Sequence, residues 1–220
     1  MNEENSPGIN FKTIIMLGRE IKMADILYTY KNQVYANITN ICDCRCRFCI
    51  RSHEDSVGDA ETLWHKKDPN LEEIESAIDA FDFSGYKELV YCGYGEPTCA
   101  LENLIKSARY IKERYPVKIR VNTNGLGNLY HGRDIVPELA EVVDSVSISL
   151  NAPEKDSYLN VTRPKFENAF EGMLEFTAKC RDKIPEVKMS VVDVLSKEEI
   201  KASQSLADSL GVELRVRKFA

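Results

Sequence analysis

The sequence has little of what would mark a membrane, secreted or nucleic-acid-binding protein. No apolar run approaches the roughly 20 residues that cross a bilayer. The start, Met1-Asn2-Glu3-Glu4, is acidic, and the apolar stretch 13–17 is too short for the core of a secretory signal. Basic residues are outnumbered, 29 Lys and Arg against 35 Asp and Glu, and the formal charge of −6 argues against a generic nucleic-acid-binding surface. Histidine is scarce, three in 220 residues, and none joins a cysteine to make the second ligand pair that a structural zinc site normally brings. What remains, 43% hydrophobic and 29% charged, is the composition of an ordinary globular domain with a sizeable core. The expected setting is cytoplasmic and reducing, with no membrane partner, so that the seven cysteines stay as thiols.

Against those absences stands one concentration. Four cysteines fall within eight residues, Cys42-Asp43-Cys44-Arg45-Cys46-Arg47-Phe48-Cys49. Disulfide rings are hard to close at this spacing. Thiolates so close together repel unless a cation holds them, which makes a metal site the default reading. Two ligand sets are open. Cys42, Cys46 and Cys49 form a C-x3-C-x2-C triad that leaves one coordination position free, as catalytic metal centres do. Cys42, Cys44, Cys46 and Cys49 together would instead close a zinc knuckle and make the protein an interaction module. His53 is nearby, but a lone loop histidine is ordinarily just solvated. Cys180 lies on an apolar helix face and reads as a small core residue, while Cys92 and Cys99 flank a turn and are not counted as ligands.

Strand-like and helix-like segments alternate along the rest. Strands are expected at 34–38, 88–91, 117–122, 145–150, 187–192 and 212–217. Helices are expected between them. Asn70 with Glu73 and Ser196 with Glu199 have the spacing of capping boxes. Leu101 to Ile111 and Phe166 to Cys180 carry apolar residues at helical spacing, and 135–143 forms a further helix. Six βα units imply a parallel sheet with helices outside. The strands alternate apolar with polar residues instead of being apolar throughout: Val146, Ile148 and Leu150 interleave with Ser145, Ser147 and Ser149. One face can then be covered by helices, while the other must be wet or ligand-filled. The expected architecture is α/β, a partial (βα)6 TIM-like barrel with parallel strands, helices outside and a polar lumen. Residues 1–22 lack a pattern and are expected to be a mobile tail; residues 23–220 form a single domain.

Sites in such folds gather at the carboxyl ends of the strands. The second strand runs into Cys92-Gly93-Tyr94-Gly95-Glu96-Pro97-Thr98-Cys99, where glycine lets a backbone approach a ligand closely. The third ends in Asn122-Thr123-Asn124-Gly125, and the fourth in Ser147-Ile148-Ser149-Leu150-Asn151. Taken alone, these segments are equally readable as turns and helix caps.

Together with the triad they resemble the radical S-adenosylmethionine (SAM) superfamily over about residues 28–219. The segment from Tyr28 to Asn40 and the run Phe48-Cys49-Ile50-Arg51 are similar to its short TatD-associated members. The resemblance implies that Cys42, Cys46 and Cys49 hold three irons of a 4Fe–4S cluster, whose fourth iron takes the amino and carboxylate groups of SAM. It implies a SAM contact through the Phe48 backbone. It also implies a Gly-Gly-Glu-type element at Tyr94, Gly95 and Glu96, with tyrosine in place of the first glycine. Asn124, Ser149 and Asn151 are the further SAM contacts it suggests. Arg163 is read as a carboxylate contact or a solvated loop arginine, Val191 and Leu214 as adenine neighbours or core, and Trp64 as a lid contact or a packing anchor. No catalytic residue beyond these is named. The implied partner is a low-potential electron donor of flavodoxin or ferredoxin type. The sequence stops just after the sixth strand, so the mouth of the barrel is expected to be covered by residues 51–69, by a loop at 151–163, or by a protein or carrier-bound substrate. A simple electron-transfer iron–sulfur protein is the third reading, disfavoured because it needs neither an open iron nor a lumen.

Overall fold

Two residues at positive φ, Lys31 (48°) and Asn32 (61°), turn the first hairpin of the main sheet. This is the geometry of a type I′ turn, whose twist matches that of the strands it joins. It pairs β3 (Leu27–Tyr30) antiparallel with β4 (Gln33–Ala36). The computed structural model describes residues 24–218 throughout, together with the backbone of β1 (Thr13–Met16) and β2 (Arg19–Lys22), which pair only with each other. The tail expected over residues 1–22 otherwise lies outside the described residues.

From β4 onward the chain alternates. Along it come α1 (Leu71–Ala80), β5 (Glu88–Tyr91), α2 (Leu101–Lys112), β6 (Lys118–Thr123), α3 (Gly127–His131), α4 (Val136–Ala140), β7 (Ser145–Ser149), α5 (Lys155–Thr162), α6 (Ala169–Lys183), β8 (Glu186–Val192), α7 (Lys197–Ser209) and β9 (Glu213–Arg217). The main sheet runs in chain order from β3 to β9, and every pairing after the first is parallel. The six expected strands are β4 to β9. β3 is an addition, an antiparallel edge strand. α5 is a correction, a helix where the sequence reads as a loop over 151–163.

Helix starts follow the local chemistry. At α1 the Asn70 side chain accepts from the Glu73 N–H at 2.9 Å while Glu73 accepts from the Asn70 N–H at 2.8 Å. Ser196 and Glu199 repeat this at α7. Each box satisfies backbone donors that the first helical turn leaves without partners.

Strand parity divides the sheet as expected. Leu89, Tyr91, Ile119, Val121, Val146, Ile148, Met189 and Val191 are all buried, and they pack with Ile74, Ile78, Leu104, Ala108, Ile111, Leu139, Phe176 and Cys180 from the helices into one core. The opposite face carries Arg120, Asn122, Ser145, Ser147, Ser149 and Ser190, with Asn122 in register with Ser147 and Ser149 with Ser190. Among the described residues no helix is long and apolar enough to cross a membrane.

Candidate functional site

The cysteine loop leaves the carboxyl end of β4 and is fixed from three sides. Thr39 and Asn40 anchor its start to the segment 51–69: the Thr39 hydroxyl donates to Asp68 Oδ2, the Asn40 N–H donates to Asp68 Oδ1 at 2.9 Å, and Asn40 Nδ2 donates to the His65 carbonyl at 2.6 Å. On a second side the Glu96 N–H donates to the Ile41 carbonyl at 2.7 Å. The third anchor is the carboxyl end of α5. The Arg45 N–H donates to the Thr162 carbonyl at 3.0 Å and the Arg47 N–H to the Val161 carbonyl at 2.9 Å, and the Arg47 guanidinium adds bonds to the Asn160 carbonyl and side chain. The last carbonyls of a helix lack partners inside it, and here the loop supplies them. Arg163 ends α5 at a φ of 46°, with its side chain exposed.

The four thiols of the loop differ. Cys44 is buried, packs into the main core and accepts a hydrogen bond from Asn124 Nδ2 at 3.5 Å. Cys42, Cys46 and Cys49 remain partly exposed. Among the described residues no three Cys, His, Asp or Glu groups close around one metal-sized point. Phe48 is half-buried. Asp43 is buried, accepts from Asn124 Nδ2 through Oδ1 and has no partner for Oδ2 among the described residues; burial raises its carboxyl pKa.

The β5 end packs tightly against this loop. A Cβ on Gly93 would lie 2.1 Å from Asn37 Oδ1, and one on Gly95 would lie 2.2 Å from the Thr39 carbonyl oxygen. Tyr94, between them, donates its N–H to Asn37 Oδ1 at 3.2 Å, while its carbonyl accepts from Arg51 at 3.2 Å. Its ring is buried with Tyr28, Ala60 and Leu63, meets Trp64 edge-on at 5.0 Å, and its hydroxyl donates to the Glu54 carbonyl. The tyrosine that departs from the Gly-Gly-Glu pattern thus anchors the segment 51–69 over the strand end. Trp64 packs on that anchor while keeping 38% of its surface exposed.

Glu96 is buried and serves as a hub. Its Oε1 accepts from the Thr98 N–H (3.0 Å), the Thr98 hydroxyl (2.8 Å) and the Thr123 hydroxyl (2.7 Å), and its Oε2 accepts from the Asn124 N–H at 2.7 Å. Asn124 in turn reaches Asp43 and Cys44. Glu96 and Asn124 therefore tie the ends of β5 and β6 to the cysteine loop. Burial pushes the Glu96 carboxyl up to about 6 from an ordinary 4.5, with the four hydrogen bonds opposing that shift. A carboxyl with a raised folded pKa stabilises the fold in its protonated form. Its contribution of about 2 kcal/mol is present below pH 4.5 and lost as pH rises through about 6. Glu96→Gln removes this titration, and it also sets an amide NH2 against the Asn124 N–H, an unmatched buried donor pair costing about 1–3 kcal/mol. Urea unfolding at several pH values between 4.5 and 7 should show the wild type losing stability relative to the variant as pH rises, with the variant still the less stable of the two at neutral pH.

At the end of β7, Ser149 is partly exposed on the polar face. Asn151 is buried at a φ of 63°, so strand parity stops before it. The Asn151 and Asn122 side-chain oxygens are buried with no partner among the described residues. Leu214 and Val191 belong to the main core, as does Cys180. Sequence reasoning missed Asn37, Asp68 and Arg51, which build the loop's anchors. Asn37 was read as part of the strand expected at 34–38, whereas β4 ends at Ala36 and leaves Asn37 free to turn its side chain onto the β5 end.

Parallel strands with outer helices, carrying a cysteine loop at their carboxyl ends, define a partial TIM-like barrel. The profile of the Radical SAM superfamily matches residues 36–207, and the chain belongs to that superfamily. No curated protein matches the sequence. Solved structures share the fold. SuiB from Streptococcus suis bound to its precursor peptide SuiA superposes with a TM-score of 0.62 at 12% identity, over 83% of this chain and 38% of that one. Methylornithine synthase (PylB) gives 0.58 at 14%, over 84% and 52%. HydG, a maturase of the FeFe-hydrogenase, gives 0.59 at 16%, over 84% and 41%. The chain thus spans from 38% to 52% of these structures' lengths.

Proposed function

We propose that the protein is a radical SAM enzyme in which Cys42, Cys46 and Cys49 hold a 4Fe–4S cluster and the strand ends beside it hold SAM. The carrying observation is the division among the loop's thiols: three remain partly exposed, while Cys44, which also touches Cys42 and Cys46, is buried in the core and accepts from Asn124. Three soft thiols with one open position suit a site-differentiated cluster, and the unpartnered amide oxygens of Asn122 and Asn151 suit a polar ligand on the inner face. When bound, the cluster and SAM would supply one-electron reductive chemistry that generates a hydrogen-abstracting radical, the electron coming from an external low-potential donor. The chain's own part is positioning and exclusion of water. Glu96 and Asn124 hold the cysteine loop against β5 and β6. Gly93 and Gly95 allow the close approach of β5 to the loop. Tyr94 and Trp64 fasten the segment 51–69 beside the mouth.

The similarity of the Tyr28–Asn40 and Phe48–Arg51 sequence segments supports placement among the short TatD-associated members. A low-potential flavodoxin- or ferredoxin-type donor in a reducing cytoplasm completes the scheme, and a peptide or carrier-bound substrate is consistent with the precursor peptide bound by SuiB. Anaerobic reconstitution tests the reading. The expected result is a brown protein with about four iron and four sulfide per chain that cleaves SAM when reduced. A colourless protein that holds zinc and leaves SAM intact would overturn it in favour of the interaction module.

A further inference from the structure

Charge is matched in one half of the sheet's polar face and unmatched in the other. Toward the amino ends of the strands, Arg120 pairs with Glu88 at 2.9 Å and donates to Gln33 Oε1 at 3.2 Å. Lys188 sits between Glu186 at 2.9 Å and Glu213 at 3.2 Å. At the carboxyl end of β9 stand Arg215 and Arg217, two residues apart and therefore on one face of the strand, in register with Ser190 and Val192. Both are exposed. Neither guanidinium has a hydrogen bond or an ion pair among the described residues, which sets them apart from Arg120 and Lys188. Arg217 lies within electrostatic reach of Arg215, of Tyr35 on β4 and of Cys92 at the end of β5. Tyr35 also senses Arg215. Strand parity thus puts the two cations on the polar face, the face shared with Ser190 of β8.

We propose that Arg215 and Arg217 form the anion-binding end of the substrate site and take a carboxylate or phosphate carried by the substrate. This rests on reading the polar face as the substrate's side of a radical SAM barrel. Adjacent like charges raise each other's energy, and a bound anion relieves that. Two planar guanidinium forks also match carboxylate and phosphate oxygens bidentately, which a pair of lysines would not. Arg217 ends β9 and Arg215 lies one turn of the pleat before it, near the carboxyl edge at which open α/β sheets place ligands.

The test uses the reconstituted holoprotein and inorganic pyrophosphate as probe, with SAM affinity measured in parallel. Pyrophosphate should raise the melting temperature saturably, with an affinity that weakens as salt increases. Arg215→Gln with Arg217→Gln should weaken pyrophosphate at least tenfold and leave SAM binding within about twofold. The paired lysine substitutions, which keep the charge but lose the forks, should fall between. Both positions are exposed, and circular dichroism checks that the variants fold. Equal pyrophosphate affinity in wild type and the double glutamine variant overturns the proposal. So does a loss of SAM affinity in step with that of pyrophosphate, which would give the guanidiniums to the SAM carboxylate. Wild-type protein that fails to bind SAM at all would instead overturn the cofactor reading, while the pyrophosphate titration would still report on the two arginines.

Discussion

Alanine at Cys42, at Cys46 or at Cys49 is expected to drop reductive SAM cleavage to background and to leave the reconstituted protein short of iron, whereas Cys44→Ala is expected to load and cleave normally. The contrast follows from where the sulfurs sit. Removing one of three thiolates leaves too few donors to hold a cubane at its protein corners, and the neighbouring Cys44 thiol, which touches Cys42 and Cys46, is buried in the core. Cys44 is a buried thiol packed in the core, and its sulfur accepts from Asn124, which keeps Asp43 as an alternative acceptor. Trimming it to alanine costs packing of about 1 kcal/mol and no donor atom of the triad. The zinc knuckle makes the opposite demand, that Cys44 be as indispensable as the other three. Iron and sulfide analysis with visible absorbance, run on all four variants, separates the readings, and loss of iron in Cys44→Ala would remove the basis for the open-triad assignment.

The parts of the molecule visible in the sequence are those written in short-range pattern. Both capping boxes formed because their two residues need only the helix turn between them. The alternation of serine with branched apolar residues in β7 showed which face of the sheet helices would cover, since parity survives any tertiary arrangement. The cysteine loop was legible because the mutual repulsion of four thiolates within eight residues calls for a cation wherever the loop lies in the fold. Contacts made at long range were not. β3 was missed because its hairpin turns on Lys31-Asn32, a weaker signal than Asn-Gly, and because Leu27–Tyr30 gains its partner only once β4 forms. α5 reads as a loop because its N-cap, Glu154, makes no side-chain cap; its carboxyl end is completed by Arg45 and Arg47, more than a hundred residues away. Glu96 could be placed at a strand end, but no local rule shows that Thr98, Thr123 and Asn124 converge on it. The spacing likewise could not say what Tyr94 does in a glycine's place, because the aromatic cluster that receives it comes from three separate segments.

Gly95→Ala should be the most damaging of the alanine substitutions at Gly93, Gly95 and Gly132. The added Cβ would stand 2.2 Å from the Thr39 carbonyl oxygen and 2.8 Å from the Ile41 carbonyl oxygen. Both are backbone atoms, so no side chain can rotate to make room. Thr39 is itself held through Asp68, and Ile41 accepts the Glu96 N–H at 2.7 Å. Relief therefore requires the β5 turn and the cysteine loop to separate, which breaks that hydrogen bond and draws Glu96 away from Thr123 and Asn124. Overpacking of this kind costs about 3 kcal/mol or more, to which the loosened carboxylate adds. Gly93→Ala meets a side chain instead, the Asn37 amide at 2.1 Å. It should be milder for the fold, though it frees the Tyr94 N–H. Gly132→Ala meets nothing within 4 Å but sits at a φ of 62° in a helix cap, where alanine costs about 1 kcal/mol of backbone strain. Urea midpoints of the three metal-free variants should fall in the order Gly95→Ala below Gly93→Ala below Gly132→Ala. Reconstituted Gly95→Ala should also hold less iron than the other two, because the surface it spoils is the one that positions the triad. A Gly95→Ala protein as stable as Gly132→Ala would mean that the β5 turn does not bear on the cysteine loop, and with that the positioning role given to Gly95 and Glu96 would fail.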